Sequence, residues 1–337
     1  MYSILLIGSQ GQVGRELRSR LGSYGHVTAL ARPEIDLSEP ESLRGPMERA
    51  LAAQAPRLVI NAAAYTAVDR AEQEPALADA INHQAPRVMA ETCAQLGARF
   101  IHISTDYVFD GQATRPYSEA DPPNPVGTYG KTKLAGEQAI QAVAAQHTDF
   151  AYAIVRTAWV YGVGGKGNFV KTMLRLGATQ PEVRVVADQV GSPTWAADLA
   201  QALSQLGHQL TSTGLGSGIY HYTNNGVISW YDFAVAIFEE AQALGYPLKL
   251  QSVVPIRTVD YPTLAQRPSY SVLDCGKISA SLGACPPDWR PSLRLMLQEL
   301  YTQTHERADE RANQSADQNA DQNADQNADE GANSLRR

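Results

Sequence analysis

Tyr129 and Lys133 stand one helical turn apart in the run Thr128-Tyr-Gly-Lys-Thr-Lys133, about two dozen residues after Ser104-Thr-Asp-Tyr107. A phenol is a poor acid near neutral pH, but an ammonium one turn away favours the phenolate and lowers the tyrosine's pKa toward a useful range. Tyr129 is therefore a candidate proton donor or acceptor. The Thr105 hydroxyl, arriving from the end of a strand, would hydrogen-bond the same substrate oxygen and hold it in line with the phenol. By spacing alone, Tyr-x-x-x-Lys is equally an ordinary pair on a helix surface.

The elements that would position these groups begin at residue 4. An apolar strand, Ile4-Leu-Leu-Ile7, runs into Gly8-Ser-Gln-Gly11-Gln-Val-Gly14 and then a helical pattern from Arg15 to Leu21. Glycines at 8, 11 and 14 let the backbone turn sharply and approach a pyrophosphate, and the following helix points free amides at the negative charge. A second strand, His26 to Leu30, ends at Ala31-Arg32, with Asp36-Leu37 beyond. An acidic residue there selects a free ribose 2′-hydroxyl and a basic one a 2′-phosphate, so Arg32 leans toward NADPH and Asp36 toward the adenine or ribose edge. Arg32 also reads as a solvated surface charge. A third strand, Leu58 to Asn61, enters Ala62-Ala-Ala-Tyr-Thr66, whose small side chains would let a cofactor lie against the backbone. A fourth, Arg99 to Ser104, delivers Thr105 to the same edge.

Taken in order, these segments resemble the dTDP-4-dehydrorhamnose reductases, a family of the extended short-chain dehydrogenase/reductase superfamily. The matching runs are Leu5 to Gly14, Asn61 to Asp69 with Ala71-Glu72, Ser104 to Gly111, Tyr129 to Glu137, Arg156 to Tyr161, Gly167 to Phe169, Asp188 to Thr194 and Arg267-Pro268, over about residues 1 to 300. The resemblance implies hydride delivery from NADPH or NADH to the C4 carbonyl of a dTDP-4-dehydro-6-deoxy sugar, with Tyr129 as proton donor. It implies that Lys133 binds the nicotinamide ribose and lowers the tyrosine's pKa, and that Thr105 polarises the C4 oxygen. Asp106 would contact the sugar, and Trp159 would contact or cover it unless it is simply core. Gly11, Gln12, Val13, Asp36, Leu37, Ala64, Tyr65, Thr66 and Ile103 would line the dinucleotide. Asn168 and Arg267 would meet the nucleotide-sugar's phosphates.

Related scaffolds leave alternatives. Nucleotide-sugar 4,6-dehydratases usually carry a glutamate directly after the Thr-Asp pair, where this chain has Tyr107, so elimination lacks its catalyst. Sugar 4-epimerases use the same tyrosine and lysine with tightly held NAD. A non-enzymatic regulator resembling the beta subunit of methionine adenosyltransferase keeps similar Tyr and Lys positions.

With 337 residues and strand-helix alternation through about residue 160, the chain is expected to be α/β, with a Rossmann-type doubly wound parallel sheet over 1–160. A smaller substrate-binding lobe is expected over 161–305, with about 183–210 returning to the first domain. Strands are expected at Val183 to Val186, Gly218 to Tyr222 and Leu248 to Val254, and helices near Asn168 to Leu176, Ala196 to Leu206, Ser229 to Leu244 and Ser292 to Thr302. The repeats of Ala-Asp-Gln-Asn from Ala316 offer nothing to bury, so 306–337 reads as a disordered tail whose removal from 308 onward leaves activity intact.

A net charge of −7 with scattered basic residues gives no stripe for nucleic acid, and no apolar run is long enough for a membrane span. Cys93, Cys275 and Cys285 are odd in number and unpatterned, which fits reduced thiols in a cytoplasmic enzyme. His102 and His221, both in strands, read as structural histidines. No metal-ligand cluster is visible. The resemblance implies, for some members, Mg2+ at a dimer contact. Glu299 matches one acidic position and Ala197 occupies another, so monomer and homodimer both stand.

Overall fold

A computed structural model describes residues 2–52, 57–212, 214, 216–304 and 306. All of the expected tail except Glu306 lies outside the described residues. Among the described residues twelve strands are present: β1 Tyr2–Ile7, β2 Gly25–Leu30, β3 Arg57–Asn61, β4 Arg99–Thr105, β5 Tyr152–Thr157, β6 Val160–Tyr161, β7 Glu182–Val186, β8 Val190–Gly191, β9 Thr194–Trp195, β10 Gly218–His221, β11 Ile228–Ser229 and β12 Ser252–Ile256. The helices are α1 Gln12–Leu21, α2 Arg44–Leu51, α3 Val68–Ala71, α4 Pro75–Asp79, α5 Ala85–Gln95, α6 Thr128–Gln146, α7 Phe169–Gly177, α8 Ala196–Ser212, α9 Trp230–Ala243, α10 Gly276–Leu282 and α11 over 289–304.

Six strands form one sheet in the order β10-β5-β4-β3-β1-β2, and every pairing in it is parallel. Parallel strands are buried on both faces, which is why β1, β3 and β5 read as nearly unbroken apolar runs. Ile4 and Leu6 pack with Leu17, Leu21, Leu199 and Leu203 from α1 and α8. Their neighbours Leu5 and Ile7 point the other way, into Met47, Val88, Met89 and Ile140 from α2, α5 and α6. Strand order reverses at β1, between β2 and β3, and in open parallel sheets the crevice outside the carboxyl ends at such a point takes the ligand. Register puts the chemistry on that edge, with Ile7 beside Asn61, Asn61 beside His102, and Thr105 beside Thr157.

The later half divides differently from expectation. Residues 183–186 do not return to the main sheet, because β7 pairs with β12. It is α8 that packs on α1 and the sheet, and β10, expected in the lobe, adds an outer strand beside β5. The second lobe gathers its own core from Val170, Met173, Val183, Val185, Phe233, Ile237, Leu293 and Met296. The strand expected from Leu248 starts only at Ser252, and Leu248 and Leu250 pack on the lobe core from a loop. Cys93, Cys275 and Cys285 are unpaired thiols.

Candidate active site

A cleft of about 540 Å³ opens at the carboxyl edge of the sheet. Its walls include Gly11, Gln12, Val13, Ala62, Ala63, Ala64 and Thr66 on one side. Ile103 to Tyr107, Tyr129, Lys133, Thr157, Ala158, Trp159, Gly165-Lys-Gly167 and Trp230 also line it. Gly8 and Gly14 stand behind this wall and shape it. Gly8 sits at φ +85°, and a Cβ on Gly14 would lie 2.1 Å from the Gly8 carbonyl oxygen, so the turn folds directly onto the start of α1 only with glycine at both. No side chain caps α1 at Gly11, which leaves its first amides for an anion.

Helix α6 carries the proton-handling pair. The Glu72 carboxylate accepts from Thr128 N and Thr128 Oγ1, both at 2.7 Å, and so caps the helix from outside it. A Cβ on Gly130 would lie 2.1 Å from the Tyr107 carbonyl oxygen, so glycine there lets α6 dock against the turn after β4. Tyr129 and Lys133 then share the face turned to β4 and line the cleft with Thr105, whose hydroxyl donates to Asp106 Oδ1 at 3.0 Å. Tyr107 meets Tyr129 edge-on, with ring centroids 5.4 Å apart.

The electrostatics correct one expectation. Lys133 does not depress the Tyr129 pKa in this arrangement. Burial pushes the phenol up to about 12, opposed by the Thr105 hydroxyl and reinforced by the Asp106 charge. Lys133 Nζ instead donates to Ile103 O at 2.7 Å and lies 3.1 Å from His102 Nε2, and burial brings it down to about 8 against the pull of Glu137. Asp106 is buried beside them and is pushed up to about 6 by that burial, with the Ser271 and Thr105 hydroxyls opposing the rise. The Thr157 hydroxyl is buried at the cleft wall with no hydrogen-bond partner among the described residues.

Six of the residues nominated from sequence stand elsewhere. Arg32 is exposed beyond β2. Asp36 accepts from the Ser38 backbone N–H and hydroxyl, which hold its carboxyl below the usual range. Leu37 is buried in the core beneath the sheet, so it packs and does not line the cleft. Tyr65 donates its hydroxyl to Glu74. Asn168 caps α7 through Lys171 N and donates to Gln12 Oε1 and Gly162 O, so its amide joins the lobe to the glycine turn. Arg267 pairs with Asp69 at 2.8 Å and lines a second cavity, of about 620 Å³, together with Phe169, Arg184, Gln189, Trp230 and Tyr261. Trp230 borders both spaces.

Sequence reading missed Trp230, Lys166, Thr157 and the contact of His102 with Lys133. Lys166 had a signal in the run Gly162-Val-Gly-Gly-Lys-Gly167, whereas the others are brought in by tertiary packing. Glu299 accepts a hydrogen bond from Gln303, and Ala197 offers no ligand atom. Among the described residues no three His, Cys, Asp or Glu side chains gather as a cation site within one chain.

Comparison with known proteins adds a family to this geometry. The model of the RmlD substrate binding domain matches residues 1–302. A dTDP-4-dehydrorhamnose reductase of Burkholderia thailandensis is 42% identical over 306 residues, spanning 89% of this chain and 99% of its own. The crystal structure of a dTDP-4-dehydrorhamnose reductase from Clostridium acetobutylicum superposes with a TM-score of 0.77 at 38% identity, covering 89% of this chain and 100% of that one. The corresponding enzyme of Bacillus anthracis, solved in complex with NADP, gives 0.79 at 35% identity with the same coverage. With nine-tenths of its length matched and the nucleotide turn, the α6 pair and the second lobe all in place, this chain belongs to the RmlD substrate binding domain family.

Proposed function

We propose that the chain reduces the C4 keto group of dTDP-4-dehydro-L-rhamnose to give dTDP-L-rhamnose, with NADPH as reductant and NADH as the alternative. The observation that carries this reading is that Tyr129 and Thr105 line the cleft at the glycine turn, and that this cleft shares Trp230 with a second cavity. The second cavity offers Phe169, Trp230 and Tyr261 for a base and Arg184 and Arg267 for phosphates, which suits the dTDP half of the substrate.

The reduced nicotinamide supplies a hydride to C4 when bound. Every other task falls to the chain. Gly11, Gln12 and Val13 offer backbone at the start of α1, with Ala62 to Ala64 close against the same space, and the partnerless Thr157 hydroxyl gives a polar contact deep in the cleft. Arg32, exposed beyond β2, suits a 2′-phosphate. Tyr129 keeps its proton through the neutral range because burial holds its pKa high, and it delivers that proton to the C4 oxygen as the alkoxide forms. Thr105 hydrogen-bonds the same oxygen, and Asp106, buried next to it, orients a sugar hydroxyl. Tyr107 fills the position where elimination needs an acid, so C4 reduction proceeds without loss of water.

The test mixes purified protein with dTDP-4-dehydro-L-rhamnose and either NADPH or NADH, follows reduced-nicotinamide absorbance, and identifies the sugar product. Oxidation of one cofactor per sugar reduced, giving dTDP-L-rhamnose, is expected. A folded protein that interconverts nucleotide-sugars with no net cofactor consumption would overturn the reductase in favour of an epimerase.

A further inference from the structure

A second glycine-rich run, Gly162-Val-Gly-Gly-Lys-Gly167, joins β6 to α7, and the chemistry above gives it no task. It lies across the first turn of α1. A Cβ on Gly165 would come 2.7 Å from Gln12 Cγ, and one on Gly164 would come 3.0 Å from Arg15 Cδ. Asn168 fastens the run from behind, donating to Gln12 Oε1 and to Gly162 O, each at 2.8 Å. Lys171, in the first turn of α7, hydrogen-bonds Val163 O and lies 3.3 Å from Gly164 O and 3.5 Å from Gly165 O. In a trans peptide the N–H points opposite to the C=O, so the amides of Gly164, Gly165 and Lys166 are turned away from Lys171. None of the three donates a hydrogen bond among the described residues. Gly165 is left-handed at φ +75°, and successive free amides around such a residue form a concavity suited to an anion.

Gly165, Lys166 and Gly167 line the same cleft as Gly11, Gln12 and Val13, so this concavity and the uncapped start of α1 border one space. The Thr157 hydroxyl, 5% exposed and without a partner among the described residues, lines it too. Two cations border the cleft. Lys133 is engaged by Ile103 O and the His102 ring, whereas Lys166 is exposed and has neither a carboxylate nor a hydrogen-bond partner among the described residues. We propose that Lys166 and the amides of its loop bind the pyrophosphate of the nicotinamide dinucleotide, closing from the second lobe the site that the glycine turn opens from the first. This rests on the reading that the cleft takes that cofactor. A helix N-terminus offsets only about half a charge, less than a pyrophosphate carries. Lys166 supplies the remainder as a point charge on a flexible stem.

The experiment measures Kd for NADPH, NADH and dTDP by titration calorimetry on the whole chain, unsubstituted and as Lys166→Gln, Lys166→Arg and Gly165→Ala. Both dinucleotides carry the pyrophosphate, so Lys166→Gln should raise both Kd values by the same factor, about 10-fold, and leave dTDP unchanged. Lys166→Arg should keep most of the affinity. Gly165→Ala drives a Cβ toward Gln12 and should weaken both dinucleotides by displacing the amides. Since Lys166 is exposed, its variants should keep the Tm of the unsubstituted chain. Unchanged dinucleotide binding in Lys166→Gln overturns the proposal. So does a loss confined to NADPH, which would put Lys166 at the 2′-phosphate, or one confined to dTDP, which would put it at the sugar-nucleotide's diphosphate. An unsubstituted chain that binds neither dinucleotide would overturn the proposed reaction and this inference together, whereas equal binding by the unsubstituted chain and Lys166→Gln removes this inference alone.

Discussion

Trp159 and Trp230 stack with ring centroids 3.5 Å apart and planes 8° from parallel, joining the loop after β5 to the first residue of α9. Trp159 holds this position at φ +48°, a left-handed backbone that bulky residues rarely adopt, so surrounding packing must support it. Gly191 is part of that support, because a Cβ there would lie 2.6 Å from the Trp159 ring. Trp230 makes a wall common to the nucleotide cleft and the second cavity, and Trp159 extends that wall on the cleft side.

Trp230→Ala removes half of that wall. A stacked aromatic pair contributes about 0.5–1.5 kcal/mol beyond its area, so KM for the nucleotide-sugar should rise by roughly 2- to 12-fold. The Kd for NADPH, measured by fluorescence titration, should stay where it was. An unchanged KM would show that the sugar-nucleotide does not touch Trp230.

Tyr129→Phe deletes the hydroxyl proposed as proton donor and keeps the ring that packs against Tyr107. The expected loss in kcat is about 10²- to 10⁴-fold, with NADPH binding retained. Thr105→Val should fall short of that loss, since Tyr129 still holds its proton without the neighbouring hydroxyl. Undiminished turnover in Tyr129→Phe refutes the role.

Asp106 gives a stability prediction with a definite sign. Burial raises its folded pKa to about 6, above the ordinary value of about 3.9. Between those two values the folded chain binds more protons at this site than the unfolded chain, so the site's contribution to stability falls as pH rises from about 4 to 6. The cost is then fully present at pH 7. Asp106→Asn should raise Tm by a few degrees at pH 7, lose that advantage near pH 4, and lower activity. A Tm difference that does not change with pH would contradict the assignment.

For cofactor choice the residue proposed to meet the 2′-phosphate is Arg32, exposed just beyond β2. Arg32→Ala should raise KM for NADPH several-fold more than KM for NADH, because only the former carries the 2′-phosphate. Parallel losses with both cofactors would place the 2′-phosphate elsewhere.

What was legible from residues was what depends on local pattern. The β1 strand, its glycine turn and the α6 pair announce themselves through short spacings, and the order of the matched runs identified the family. Leu37 shows where that stops: seven positions past the end of β2 it turns inward to the core, and nothing in its neighbours says so. Asn168 looked available for phosphate until folding supplied Gln12, the Gly162 carbonyl and the Lys171 amide as partners. The lobe was hardest to read, because β6, β8, β9 and β11 are two residues each and carry no periodicity. The tyrosine's environment also had to be seen. Spacing put an ammonium near Tyr129, but only the fold showed Lys133 turned away to Ile103 and His102.

Beneath this site Glu137 and Arg156 form an ion pair at 2.6 Å with each side chain 1% exposed. Ser104 Oγ donates to Glu137 Oε1, and the guanidinium lies 5.1 Å from the centre of the Phe109 ring, so both charges are fully enclosed. The pair ties α6 to β4 and β5, and it sits one turn past Lys133. Removing one member leaves the other buried and uncompensated, a loss of about 3–5 kcal/mol. Glu137→Leu and Arg156→Met should each lose about that much in denaturant unfolding, whereas the double variant should recover most of the loss because no charge remains buried. A double variant as unstable as the two single losses added together would mean that the pair's hydrogen bonds, and not charge compensation, hold α6 against the sheet.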